Sequence, residues 1–112
     1  MSLKTGLWPL EDVVLSKGQN GGAPFHVFLD EPTMSAELYE LAAGHVDTQK
    51  PHKWDELYYV ISGKSKFISD DKHHEVKAGD TIFVAANIEH RFYDITEDLK
   101  ILVVFSKAEP AS

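Results

Sequence analysis

The chain has 112 residues, no cysteine, and a net charge of −7 from 11 basic and 18 acidic side chains. This length predicts one domain that buries roughly two thirds of its unfolded surface, and the lack of cysteine excludes disulfides and thiolate zinc sites. The acidic balance argues against nucleic acid or an anionic membrane as the main partner.

The first 24 residues are predicted to form an N-terminal arm that precedes a β-barrel domain at residues 25–108. The start, MSLKTGLWPL, lacks the basic segment and apolar core of a signal peptide. No apolar run reaches the roughly 18 residues that a spanning helix needs, so we expect a cytoplasmic protein without membrane contact. Residues 10–15 fit either one helical turn or a short edge strand, and the glycine-rich residues 18–24 form a connection.

Short strand-like runs separated by turn residues occupy the rest of the chain. Turns are expected at 62–64, 70–74 and 96–98, where small and polar residues cluster. No convincing amphipathic helix interrupts this pattern, which is typical of an all-β sandwich or barrel. The predicted strands are 25–29, 34–41, 57–61, 65–69, 81–84, 90–93 and 99–105.

Two of these strands, 57–61 and 99–105, are apolar on both faces. A strand that is wet on one side alternates with polar residues, so these two are expected to be covered on both sides. A single small barrel has one interior and covers only one face of each strand. We therefore predict a homodimer, in which a second copy of the chain covers part of the outer face.

The stretch from residue 44 to residue 63 contains the strongest candidate ligands. His52 and Glu56 are four residues apart, so in extended chain their side chains point to the same face. His90 lies on a second strand-turn-strand unit downstream. Two histidines and one carboxylate that converge inside a barrel form a divalent-metal site with open coordination positions.

The same stretch matches the first motif of a known family, G-x5-H-x-H-x3,4-E-x6-G. Every spacing holds, and one residue departs: Lys50 stands where the family usually has its first histidine. An ammonium group cannot ligate a metal. The matching residues are Gly44, His52, Glu56 and Gly63.

Residues 79–94 are similar to the second motif of that family, G-x5-P-x-G-x2-H-x3-N. Gly79 and His90 match, whereas Ala85, Asn87 and Asp94 replace the proline, glycine and asparagine. Asparagine tolerates the left-handed conformation that glycine adopts at such a turn. The family is the cupin superfamily, and the chain resembles a small single-domain cupin.

This resemblance implies a cupin-type double-stranded β-helix, also called a jelly-roll barrel, with His52, Glu56 and His90 as its metal ligands. Cupins commonly pair, which points to the same homodimer. Two histidines and a glutamate suit Fe, Mn, Zn, Ni or Co, and the sequence does not choose among these ions.

Lys50 and Tyr58 are the only candidates for a catalytic role beside the metal. Lys50 has three interpretations: it contacts an anionic substrate at the barrel mouth, it pairs with Glu56 in place of a metal, or it extends into solvent. Tyr58 is expected in the wall of the cavity or the core, where its hydroxyl is available to a ligand.

The expected function is that of a metal-binding cupin with a small-molecule pocket. If the protein is an enzyme, its metal binds O2 as in a dioxygenase, or polarises a small organic acid as in an isomerase or lyase. The alternative is a non-catalytic barrel that binds or senses a small ligand, in one version metal-free with Lys50 replacing the ion. Whether the protein is an enzyme stays open at this point, because this fold hosts many chemistries.

Overall fold

The computed structural model describes residues 5–19, 21 and 23–107, which form one helix and a six-stranded antiparallel sheet. Residues 1–4, 20 and 22 of the predicted arm and residue 108 of the predicted barrel lie outside this part. No helix in the described part is long and apolar enough to cross a membrane. The elements are α1 Leu10–Gly18, β1 Phe25–Asp30, β2 Met34–Leu41, β3 Glu56–Ser69, β4 Lys72–Lys77, β5 Thr81–Val84 and β6 His90–Ser106.

The two long strands, β3 and β6, run through both halves of the sheet, whose order is β1-β2-β6-β3-β4 with β5 also on β3. The start of β3 pairs with the end of β6, for example Tyr58 with Val103, whereas the end of β3 pairs with the start of β6, for example Phe67 with Phe92. The Tyr58 ring lies 5.2 Å from the Phe92 ring and 6.0 Å from the Phe67 ring. The two halves therefore face each other across one core, and the sheet curls into a barrel.

The predicted turn at 62–64 is wrong, because β3 continues through it as one bent strand. Gly63 has φ 103°, and a Cβ at this position would lie 2.2 Å from the carbonyl oxygen of Asp98. The pairing register between β3 and β6 shifts on both sides of Gly63. Glycine is needed here because the two strands approach too closely for a side chain, and the chain bends without reversing.

The predicted turn at 70–74 is too wide, and the predicted turn at 96–98 is wrong. The chain reverses at Asp70 and Asp71, whose φ angles are 49° and 68°, and β4 begins directly afterwards. Strand β6 continues through residues 94–98, with one left-handed residue at Asp94, φ 50°. Aspartate adopts this conformation more readily than most residues that carry a Cβ.

The alternative left open for residues 10–15 is settled in favour of a helix. Helix α1 follows Pro9, whose carbonyl accepts hydrogen bonds from the backbone N–H groups of Asp12 and Val13 at 3.0 and 3.2 Å. Val13 is buried, and Lys17 forms an ion pair with Glu40 of β2 at 3.4 Å. The helix therefore covers the outer face of the sheet at β1 and β2.

Candidate metal centre

Three segments supply the candidate ligands. His52 lies in the loop between β2 and β3, Glu56 is the first residue of β3, and His90 is the first residue of β6. The backbone N–H of Asn87, φ 66°, donates to the His52 carbonyl at 2.6 Å and so joins the two loops that precede Glu56 and His90. One ligand atom from each of the three side chains lies within 4.8 Å of the other two. The sequence-predicted ligand set is thus brought together.

His90 is held in the tautomer that a metal ligand needs. Its Nδ1 lies 2.8 Å from the carbonyl oxygen of Ile88, which only accepts, so Nδ1 carries the proton in the neutral ring. The Nε2 lone pair then points at Oε1 of Glu56, 2.8 Å away. The His90 side chain is 1% exposed and the Glu56 side chain 2%. A backbone carbonyl behind a ligating histidine is the usual means of orienting the ring.

The close pair of Glu56 Oε1 and His90 Nε2 fits a cation that lies to one side of the pair and contacts both atoms. Both atoms are buried, and within the described residues neither has a hydrogen-bond partner of acceptable geometry despite the short distance. Buried polar atoms without partners cost free energy unless something satisfies them. The ligand spacing agrees with metal–ligand bonds of about 2.0–2.2 Å, so His52, Glu56 and His90 fit a divalent metal ion.

The same neighbours determine the pKa of His90. Burial lowers its pKa, but the Glu56 carboxylate and the Ile88 carbonyl outweigh burial, so the pKa is raised from 6.5. A divalent ion competes with this proton, because the ligand must be the neutral imidazole.

A hydrogen-bond network around Asp47 braces the loop that contains His52. The buried carboxylate of Asp47 accepts from the Tyr39 hydroxyl at 2.7 Å and from the backbone N–H of Phe92 at 2.9 Å. It also accepts from the side chain and backbone N–H of Gln49, at 2.6 and 3.2 Å. Sequence reasoning missed Asp47, because an aspartate in a polar loop looks like any solvated acid.

The two candidate catalytic side chains lie in very different surroundings. Tyr58 is fully buried in the core, and its hydroxyl donates to the Gln49 side-chain oxygen at 2.9 Å. Burial, followed by the charge of Glu56, raises the pKa of Tyr58 well above 10, so its hydroxyl is a hydrogen-bond donor and not a base. Lys50 is exposed and makes no hydrogen bond or ion pair within residues 5–19, 21 and 23–107. The structure therefore does not bring Lys50 to Glu56.

Aromatic side chains enclose the centre on the side of the loop. The His52 ring lies 4.9 Å from the Phe105 ring in an edge-on arrangement, and the Trp54 ring lies 6.2 Å from Phe105. Trp54 thus packs beside the site. On the opposite side a cavity of about 420 Å3 opens next to His90 and forms the barrel mouth. Its lining includes Asp47, Gln49, Pro51, Asp70, Asp71, Glu89, His90 and Arg91.

A curled antiparallel barrel with two histidines and one glutamate at its centre defines a cupin-type protein. The family model described as a cupin domain matches residues 37–105, and the chain belongs to this family. The sequence-based identification and the predicted jelly-roll barrel are confirmed.

Known relatives extend the likeness over most of the chain. An uncharacterized protein of Streptomyces coelicolor is 41% identical over 100 residues, which cover 89% of this chain and 94% of that protein. A Cupin 2 conserved barrel domain protein from Salinispora arenicola is 17% identical, with a TM-score of 0.66 over 75% of each chain. DMSP lyase DddQ from Ruegeria pomeroyi is 16% identical, with a TM-score of 0.70 over 79% of this chain and 48% of that one. The two solved structures share the fold.

Proposed function

We propose that this protein is a metal-binding cupin that holds an oxygen-bearing small molecule beside its metal and polarises it, as isomerases and lyases do. The proposal rests on one observation: Glu56 Oε1 and His90 Nε2 lie 2.8 Å apart, buried, and without hydrogen-bond partners in the described part of the chain. His52 supplies the third ligand, within 4.8 Å of the other two. Three protein ligands leave coordination positions for water or substrate.

When bound, a divalent ion supplies Lewis acidity towards a carbonyl, carboxylate or hydroxyl oxygen, or a site for O2. The residues of the chain provide the rest. Ile88 orients His90, the Tyr58 hydroxyl and the Gln49 side chain form a hydrogen-bonded pair near it, and Phe105 and Trp54 shield the loop side from water. The dioxygenase alternative uses the same three ligands, and oxygen consumption with Fe(II) separates the two.

A second candidate function, a non-catalytic barrel that binds a small ligand, is favoured by the state of the two expected catalytic groups. Tyr58 stays protonated, and Lys50 is exposed to solvent without contact to Glu56. Neither provides a base next to the metal. A binding barrel would still hold the metal, because the arrangement of His52, Glu56 and His90 does not involve Lys50.

Metal analysis of the purified protein tests the proposal. We expect about one divalent ion per chain, and we expect Glu56→Gln to lose most of it, because this change removes the anionic ligand. Glu75→Gln, on the exposed face of β4, is the matched control and keeps the native stoichiometry. Equal metal content in native protein and Glu56→Gln would contradict the proposal. Turnover of carbonyl compounds without oxygen uptake would support the isomerase or lyase class.

We also propose that the protein is a homodimer through the outer face of β3 and β5. Leu57 pairs with Phe83 on one side and with Val104 on the other, so these side chains are adjacent on the outer face. Leu57 is 42% exposed and Phe83 63%. Helix α1 covers β1 and β2 and leaves this region open. A second copy that buries about 600–800 Å2 per subunit would cover it.

A further inference from the structure

Glu37 is a second glutamate on the inner face of the barrel. It shares strand parity with Tyr39 and Leu41, which belong to the core, and it pairs across the sheet with Val103, which is also in the core. Val103 pairs in turn with Tyr58 of β3, one inward position beyond Glu56. Because inward positions alternate regularly along β2 and its register is unbroken, the Glu37 side chain points to the same interior as the metal centre.

The fold gains nothing from a carboxylate at this position. Glu37 is partly buried, and no hydrogen bond or ion pair joins it to any described residue. Burial, followed by the charge of Glu56, raises its pKa to about 7. Desolvating an unpaired carboxylate is costly, and an apolar residue would fill the position at lower cost. A ligand that donates a hydrogen bond would supply the missing partner.

Positive charge is absent from the interior formed by the described residues. Lys17, Lys66 and Lys107 pair with acids on the outside, and the remaining described cations lie on exposed or outward-facing positions. Among the described residues that line the barrel mouth, Arg91 is the one cation, and several acids surround it. A divalent ion held by Glu56 is already balanced by the carboxylates of Glu56 and Glu37, and the buried carboxylate of Asp47 adds a third negative charge nearby. An anionic ligand would make the interior negative with no side chain to compensate.

We propose that Glu37 is a ligand-binding residue of this site and that it selects molecules with an ammonium or hydroxyl group over carboxylates. This inference rests on the proposed function, because it takes the ligand to bind beside the metal. Within the described residues, the unpartnered, buried atoms of Glu56 and His90 belong to the same interior, where the proposed metal would hold one end of the ligand. The sequence analysis expected a small organic acid as the ligand, because Lys50 could contact an anion at the barrel mouth. We propose an amine or alcohol in its place.

The test compares three probes of similar size and different charge: 3-aminopropan-1-ol, propane-1,3-diol and 3-hydroxypropanoate. Each is titrated into Mn2+-loaded protein while the broadening of its proton NMR lines is followed, because the ion broadens only probes bound beside it. In native protein we expect the amino alcohol to bind about tenfold more tightly than the hydroxy acid. In Glu37→Gln, which keeps the size and loses the charge, we expect this ratio to fall to about one.

Glu40→Gln is the matched control, because Glu40 lies on the same strand, faces outward, and pairs with Lys17. It should keep the native ratio. The inference is overturned if native protein prefers the hydroxy acid, if the amino alcohol does not bind, or if Glu37→Gln keeps the native ratio. Metal affinity, measured first, separates the two proposals. A native protein that binds none of Mn2+, Fe2+, Co2+, Ni2+ and Zn2+ refutes the metal site, whereas one that binds Mn2+ and favours the hydroxy acid refutes the role of Glu37 alone.

Discussion

Asp47 shows how one buried side chain prepares a site that it does not enter. Its two oxygens accept four hydrogen bonds, from Tyr39 on β2, Phe92 on β6 and twice from Gln49 in the loop. Phe92 is two residues after His90, and the loop contains His52. A single carboxylate therefore fixes both segments that present histidine ligands, in the way that outer residues tune metal sites in general.

Replacing Asp47 with asparagine should weaken metal binding without removing a ligand. The side-chain amide of asparagine has an NH2 group in place of one carboxylate oxygen, and this group cannot accept the hydrogen bonds that Asp47 accepts. We therefore expect about a 10- to 100-fold loss of Zn2+ affinity. We also expect a loss of about 1–3 kcal/mol in the free energy of unfolding. Competition with a chelator and urea titration measure the two effects. Asp12→Asn, at an exposed position of α1, is the control, and equal affinities for the two variants would contradict the role of Asp47.

Glu37 makes the stability of the metal-free protein depend on pH. Its folded pKa of about 7 lies above the ordinary 4.5, raised by burial and by Glu56, so the folded state binds the extra proton. The associated stability is present at low pH and is lost as pH rises through about 7. Tyr39 and Tyr58 also face this interior, and both stay neutral in this range because their pKa values are raised.

Glu37→Gln should therefore stabilise the metal-free protein at pH 8 and leave it nearly unchanged at pH 5. The expected gain at pH 8 is about 1–2 kcal/mol, below the full value of the shift because the side chain is only partly buried and solvent screens it. Urea unfolding in the presence of a chelator measures the difference. A gain that is the same at both pH values would show that the carboxylate is not responsible.

At the scale of elements, the bend in β3 has one indispensable residue. Gly63→Ala combines a positive φ of 103° with a Cβ placed 2.2 Å from the Asp98 carbonyl oxygen. Gly79→Ala is the matched control, because Gly79 has φ 93° and open space where the methyl group would lie. We expect the unfolding free energy to fall by more than about 1 kcal/mol in Gly79→Ala, and by clearly more in Gly63→Ala. Equal losses would mean that the close approach to β6 has no energetic weight.

The sequence predicted those strands whose ends are marked by turn residues next to them in the chain. The bounds of β2 and β5 agree with the prediction, and the start of β1 agrees as well. The continuity of β3 and β6 was not predictable, because glycine looks the same in a turn and in a bend, and only pairing with a distant strand distinguishes them. Helix α1 was left open because nine residues make only about two and a half turns, which is too short for a clear helical period.

The residues of the candidate site also fall into those that the sequence could predict and those that it could not. His52, Glu56 and His90 could be proposed as ligands because they follow a spaced motif, and the structure brings them together. Asp47 and Glu37 stand outside any motif. Their importance depends on burial, which comes from the register of β2 with β6 and from the path of the loop. When the strand register is unknown, the sequence alone cannot distinguish the inward Glu37 from the outward Glu40 on the same strand.

At the scale of the whole molecule, the exposed apolar face predicts association. Phe83→Arg places a charge at the centre of the proposed interface, next to Leu57. We expect the native chain to sediment at twice 12.6 kDa at micromolar concentration, and Phe83→Arg to sediment at 12.6 kDa. Leu15→Arg, on the exposed side of α1, serves as the control and should remain a dimer. A native protein that sediments as a monomer would contradict the proposed homodimer.

The nested pairing of β3 with β6 also sets an order in which the barrel can assemble. Ser69 and His90 are the partners closest along the chain, whereas Glu56 and Phe105 are the most distant, so the entropic cost of loop closure is lowest at the Ser69 end. Pairing that starts there and proceeds outward positions His90 early and Glu56 last. The ion would then be captured only when the barrel is complete, and its binding would act mainly by slowing the first step of unfolding.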